Sequence, residues 1–138
     1  QQAESRYRTL IDQAGSAFLV HDMDGRLQEV NRQACENYGY SRDELLALEV
    51  ADLAPNFDRA YARSRWAQLE EGMPMTFTTV HRRKDGTQFP VEVRLSGIVL
   101  NGQKMVVALI NDITERMRFE TALQRDKREV TSGVRRSS

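Results

Sequence analysis

Met105-Val106-Val107-Ala108-Leu109-Ile110 is an uninterrupted apolar run that leads, after Asn111, into Asp112-Ile113-Thr114-Glu115-Arg116 and a charged segment beyond. The run is far short of the roughly 20 residues that cross a bilayer. As a strand it is apolar on both sides, and both sides then need cover. It is therefore expected at the centre of a sheet, with the helical part of the chain on one side and an N-terminal helix or a partner subunit on the other. The polar segment after it starts an amphipathic helix, so a buried strand and an exposed helix share one joint.

The stretch before this joint also reads as sheet. Residues 75–83 and 87–100 are rich in β-branched and apolar side chains, as strands are. Asp85-Gly86 and Asn101-Gly102 are turn pairs. Phe89, Val91, Val93 and Leu95 alternate with Pro90, Glu92, Arg94 and Ser96, a period of two that buries the odd-numbered side. The link from Arg83 to Thr87 closes in one of two ways, and a one-residue slip inverts every side chain of the preceding strand. A two-residue Asp85-Gly86 turn sets Val80 opposite Val91 and Thr78 opposite Val93. A three-residue Lys84-Asp85-Gly86 loop, with Gly86 left-handed in a bulge, sets Thr79 opposite Val91 and Phe77 opposite Val93. The second is expected because it buries Met75 and Phe77, and burying a Phe stabilises by about 1.5–3 kcal/mol.

The N-terminal half is shorter-ranged. Tyr7, Leu10, Ile11 and Ala14 recur at helical spacing, so residues 3–14 form an amphipathic helix within a cap segment 1–15, ended by Gly15. Residues 17–21 and 26–30 are strands around Asp22-Met23-Asp24-Gly25, a tight reversal. Asn31 is placed to cap a helix over 32–38, which Gly39 closes. Ser41-Arg42-Asp43-Glu44 has the pattern of a capping box, so the next helix starts at Arg42. Pro55 breaks the chain, and a longer helix is expected over 57–70 with Tyr61, Ala62, Trp66 and Leu69 facing inward.

A chain of 138 residues suits a single domain. Twenty basic and twenty acidic side chains cancel, which argues against a nucleic-acid partner. Cys35 is the only cysteine, so there is no internal disulfide and no multi-thiolate metal site. A reducing, cytoplasmic setting fits. The missing initiating Met and the polar C-terminal residues lead us to expect a piece of a longer protein, with any membrane spans in its other parts.

Asn31 with Gly39-Tyr40-Ser41-Arg42-Asp43-Glu44-Leu45-Leu46, then Arg83-Lys84-Asp85-Gly86-Thr87, then Asp112-Ile113-Thr114 stand in an order and spacing that resemble a PAS sensory domain of bacterial signal transduction, over roughly residues 5–129. The resemblance implies an α+β fold. Its five-stranded antiparallel sheet has the order 2-1-5-4-3, with helices packed on one face. A PAS core over 16–113 is then flanked by the N-terminal helix, a C-terminal signalling helix over 114–131 and a flexible tail over 132–138. It also implies a cavity between sheet and helices. Tyr38, Phe57, Tyr61, Trp66, Phe77, Thr79, His81, Val91, Val93, Leu95, Ala108 and Ile110 are the side chains placed to line it. His81 and Thr79 are then polar groups on an apolar wall, and buried polar groups need partners. Two readings of His81 stay open: a ligand contact at the cavity mouth, or a half-solvated residue at the sheet end that bonds a backbone carbonyl.

Flavin-binding relatives that form a light-driven adduct carry a cysteine near residues 50–55, where this chain has Val50-Ala51-Asp52-Leu53-Ala54-Pro55. Haem-binding relatives place a histidine on the long helix, and residues 58–72 contain none. A flavin adduct and histidine-ligated haem are disfavoured, leaving a small metabolite, FAD held without a covalent bond, or no cofactor. Cys35 reads as a small buried hydrophobe, and Asp22 and Asp24 as turn residues. Arg59, Arg63, Arg65 and Arg82-Arg83-Lys84 read as solvated faces. His21 and His81 are the only histidines, and no nucleophile-and-base, paired-carboxylate or metal pattern occurs, so no catalytic or metal site is expected.

By the same resemblance Asp112, Thr114 and Arg116 couple the last strand to the helix. Thr114 is placed to cap that helix, and Asp112 lies one turn from Arg116, within reach of an ion pair. Phe119, Leu123, Asp126 and Val130 follow a coiled-coil cadence with a charge on its seam. Phe119, Leu123 and Val130 on this helix, with Tyr7, Leu10 and Ile11 on the first, form the expected homodimer contacts. The function that follows is a sensory or relay module of a histidine kinase or cyclic-dinucleotide enzyme, feeding an output domain of the same chain. The rival is a ligand-free dimerisation spacer, whose mark would be a cavity packed shut by Tyr38, Phe57, Trp66, Phe77 and Ile110.

Overall fold

The computed structural model describes residues 15–70 and 72–137, with side chains through residue 125. The elements are β1 (Ala17–His21), β2 (Leu27–Val30), α1 (Arg32–Tyr38), α2 (Arg42–Leu46), α3 (Val50–Leu53), α4 (Arg59–Ala67), β3 (Met75–Arg82), β4 (Gln88–Leu100), β5 (Gln103–Asp112) and α5 (Thr114–Ser137). The strands form one antiparallel sheet in the order β2-β1-β5-β4-β3. The doubly apolar run lies in β5, the middle strand, as its composition requires. Tyr7, Leu10, Ile11 and the helix expected over 3–14 lie outside the described residues.

The register follows the three-residue loop. The Arg83 N–H donates to the Thr87 carbonyl at 2.8 Å and Gly86 has φ of 90°, a left-handed angle that glycine adopts without steric cost. Thr79 stands opposite Val91 and Phe77 opposite Val93. Continuing across the sheet, Val93 faces Ile110 and Ile110 faces Ala17, while Met75, Leu95, Ala108 and Leu19 make the neighbouring row. These rows are the floor of the core. At Asn101-Gly102 both residues have positive φ, 51° and 77°, and Leu100 pairs with Gln103, the two-residue hairpin turn whose twist matches its strands.

Local chemistry sets the helix starts. Asn31 caps α1 by accepting from Ala34 N–H at 2.9 Å, and the same oxygen accepts from Phe18 N–H at 3.0 Å while its amide donates to the Ser16 carbonyl. One side chain thereby ties the helix to β1. Ser41 and Glu44 form the capping box of α2.

Several boundaries differ from expectation. β2 begins at Leu27 because the ladder slips between Val20 and His21, and Arg26 bridges Glu49 instead. α4 is confined to Arg59–Ala67: Asp58 caps it, its carboxylate accepting from Tyr61 N–H at 3.0 Å, and Phe57 stays in the preceding turn. α5 runs to Ser137, through the residues 132–137 expected as a tail and past residue 131 where its end was placed.

Gly97 answers a packing need. A Cβ built there would lie 2.9 Å from the Leu69 carbonyl oxygen, so the chain leaving α4 touches the β4 backbone where only a hydrogen fits.

Candidate functional site

Between the sheet and helices α3 and α4 lies a cavity of about 420 Å³. Its floor is the inward row of the sheet and its roof includes Leu53, Phe57, Ala62 and Trp66. Of the residues placed by sequence, Phe57, Tyr61, Trp66, Phe77, Thr79, His81, Val93, Leu95, Ala108 and Ile110 line it. Tyr38 and Val91 do not. Tyr38 is completely buried against the edge of Phe89, with ring centroids 5.6 Å apart, and Val91 is equally buried.

Phe77 and Tyr61 correct a second expectation. Phe77 faces Val93 as the register demands, yet it is 40% exposed, because β3 is the edge strand and the cavity opens along it. Tyr61 is 65% exposed. It sits one turn from Arg65, whose guanidinium lies 6.0 Å from its ring, while Trp66 takes the inward position of that helix.

Both histidines are buried in the cavity wall. His81 is not half-solvated and bonds no backbone carbonyl: its Nδ1 lies 2.6 Å from the Tyr38 hydroxyl. Burial holds its pKa down to about 4, and burial drives the Tyr38 phenol far above its ordinary value. His21, which sequence reasoning passed over, lines the opposite part of the cavity. Its ring centroid is 4.4 Å from that of Trp66, and its Nδ1 lies 2.8 Å from the Asp22 carbonyl. Burial lowers its pKa as well, the Asp22 carbonyl and charge opposing. The signal was present in the alternation Ala17, Leu19, His21, which puts all three on one face. Among the described residues no group of three or more His, Cys, Asp or Glu could hold a metal.

The joint at the end of β5 is wired differently from its sequence. Asp112 does not pair with Arg116. One of its oxygens lies 3.1 Å from the Arg83 guanidinium, and the other accepts from the Thr114 N–H and hydroxyl at 2.9 and 2.5 Å. Thr114 is the first helical residue of α5, so the Asp112 carboxylate satisfies a first-turn amide and the Thr114 hydroxyl turns back to it. Arg116 pairs with Glu92 of β4 at 3.3 Å. Arg83 also donates to the Asn37 carbonyl at 3.0 Å and stacks over Phe89 at 3.9 Å. On α5, Phe119 and Leu123 are exposed; the side chain of Val130 lies outside the described residues.

A curved antiparallel sheet in this order, hollow on its helical face and continued by a helix from its central strand, defines a regulatory sensory domain. The PAS domain profile matches residues 15–115, and the chain belongs to the PAS domain family. It is 28% identical over 123 residues to the methyl sulfide methyltransferase-associated sensor of Methanosarcina acetivorans, an alignment covering 88% of this chain and 12% of that protein. It is 24% identical over 126 residues to the sensor protein FixL of Bradyrhizobium diazoefficiens, covering 88% and 25%. The PAS domain of an HTR-like protein from Haloarcula marismortui superposes with a TM-score of 0.73 at 27% identity, covering 81% of this chain and 93% of that one. The chain thus spans a quarter or less of these two sensors. No helix among the described residues is long and apolar enough to cross a membrane.

Proposed function

We propose that this PAS domain is the sensory module of a larger cytoplasmic signalling protein, a histidine kinase or cyclic-dinucleotide enzyme, and that it works as a homodimer. A small, largely apolar molecule binds in the cavity, and its presence biases α5 through Arg83 and Asp112. The observation that carries this is the continuity between cavity and joint. His81 lines the cavity and holds Tyr38; Tyr38 ends α1 and packs on Phe89; Arg83 covers Phe89, holds α1 by the Asn37 carbonyl and pairs with Asp112. A ligand that shifts His81 therefore has contiguous packed and hydrogen-bonded groups through which to act. The spacer alternative calls for a cavity packed shut, and the open volume of about 420 Å³ favours sensing. The names of the relatives, two of them sensors and a third sporulation kinase A of Bacillus subtilis, support the kinase branch. The test is native mass spectrometry of the full-length protein from its own host, followed by ligand release; an empty domain whose output responds to no cell extract would leave only the spacer.

A further inference from the structure

The two buried histidines present opposite hydrogen-bonding faces to the cavity. At His21 the Nδ1 partner is a backbone carbonyl, which only accepts, so Nδ1 carries the proton and Nε2 is an acceptor. At His81 the partner is the Tyr38 hydroxyl. That phenol makes no other hydrogen bond and is completely buried, so its proton is satisfied only by donation to Nδ1, which puts the His81 proton on Nε2. Among the described residues neither Nε2 has a hydrogen-bond partner, and no enclosed side-chain nitrogen or oxygen is left unpaired. Each Nε2 therefore keeps accessible surface, and the open space beside both rings is the cavity that they line. Burial keeps both rings neutral near pH 7.

Their separation follows from the ladder. His21 stands opposite Val106 and Val106 opposite Gly97, whereas His81 stands opposite Phe89. Gly97 and Phe89 are eight residues apart on β4, and at about 3.3 Å per residue the two rings lie toward opposite ends of the sheet. Between them the floor is Leu19, Ala108, Leu95, Ile110 and Val93. The charged groups lining the cavity, Asp58 and Arg65, are exposed at its rim and of opposite sign.

We propose that the cavity takes an elongated, uncharged, largely apolar molecule with an N–H or O–H at the end beside His21 and Trp66 and an acceptor oxygen or nitrogen at the end beside His81. This rests on the sensing role proposed above. Two small probes test it on the full chain by ¹⁵N NMR of the imidazoles: indole, which only donates, and acetophenone, which only accepts. In the free protein His21 should show a protonated Nδ1 and His81 a protonated Nε2. Indole should shift His21 Nε2 and leave His81 Nε2 unmoved, and acetophenone should do the reverse. Tyr38→Phe removes the hydroxyl that holds the proton on Nε2, so the His81 proton should distribute over both ring nitrogens in the free variant, while the His21 tautomer and indole binding stay unchanged. Reversed tautomers, or probes that enter without sorting between the two ends, would overturn this assignment and leave the sensing role standing. If neither probe shifts any cavity residue, both fall.

Discussion

Arg83 and Asp112, 29 residues apart in the chain, meet at 3.1 Å and close the gap between the β3–β4 loop and the root of α5. The same carboxylate holds Thr114. One aspartate therefore ties the loop, which is fastened to α1, to the first turn of the helix.

Replacing Asp112 with Ala removes an acceptor of three hydrogen bonds at a partly exposed site. A loss of about 1–2 kcal/mol is expected, within what the sheet tolerates. In the full-length protein the output activity should cease to follow its stimulus while circular dichroism stays native. Normal stimulus dependence in the variant would refute the coupling role.

Gly97→Ala tests the contact between β4 and the chain leaving α4. With the Leu69 carbonyl only 2.9 Å from the new methyl, backbone must shift on one side, costing about 1–3 kcal/mol. Urea denaturation should show a lower midpoint with an unchanged slope. An unchanged midpoint would mean the loop after α4 yields freely.

Stability should fall in mild acid. The folded pKa of His81 is about 4, against 6.5 for a free histidine, and that of His21 is lowered too. Between these values the unfolded chain binds protons that the folded one refuses, so the stabilisation is complete above about pH 6.5 and is lost as pH drops toward 4. His81 alone contributes up to about 3 kcal/mol. Glu44 and Asp85, whose pKa values are lowered by Lys84 and Thr87 respectively, lose their contributions only below the ordinary carboxylate values. The decline between pH 6.5 and 5 therefore belongs to the histidines, and denaturation midpoints equal at pH 7 and pH 5 would contradict it.

Phe119→Glu combined with Leu123→Glu places charge on two exposed apolar positions of α5. If this helix pairs with that of a second copy, sedimentation equilibrium should show dimer dissociation strengthened by tenfold or more, since two charges replace apolar contacts worth about 1.5 kcal/mol or more. A variant as dimeric as the parent would place the interface elsewhere.

Features that depend on a few neighbouring residues were legible. The alternation from Phe89 to Leu95, the Asn101-Gly102 turn, the Asn31 cap and the Ser41–Glu44 box all act through backbone angles or amides within a turn of themselves. The register of β3 was legible for only part of the reason offered. The three-residue loop with left-handed Gly86 is present, but burial of Phe77 is not its cause, since that ring stands at the open edge. The helix expected from Phe57 to Glu70 was too long because apolar spacing continues past the ends that Asp58 and Gln68 impose.

What the sequence by itself determined is the set of strands, the Asn31 and Ser41 caps, the central place of the Met105–Ile110 run and the family of the fold, because alternation, turn angles and first-turn amides are satisfied locally. Tertiary structure alone decided that Asp112 takes Arg83 and leaves Arg116 to Glu92, that His21 joins the cavity while Tyr38 leaves it, and that His81 bonds the Tyr38 hydroxyl. Those outcomes depend on groups brought together from strands and helices far apart in the chain. A hydrogen bond or ion pair goes to whichever partner the sheet order carries within about 3 Å, regardless of sequence distance.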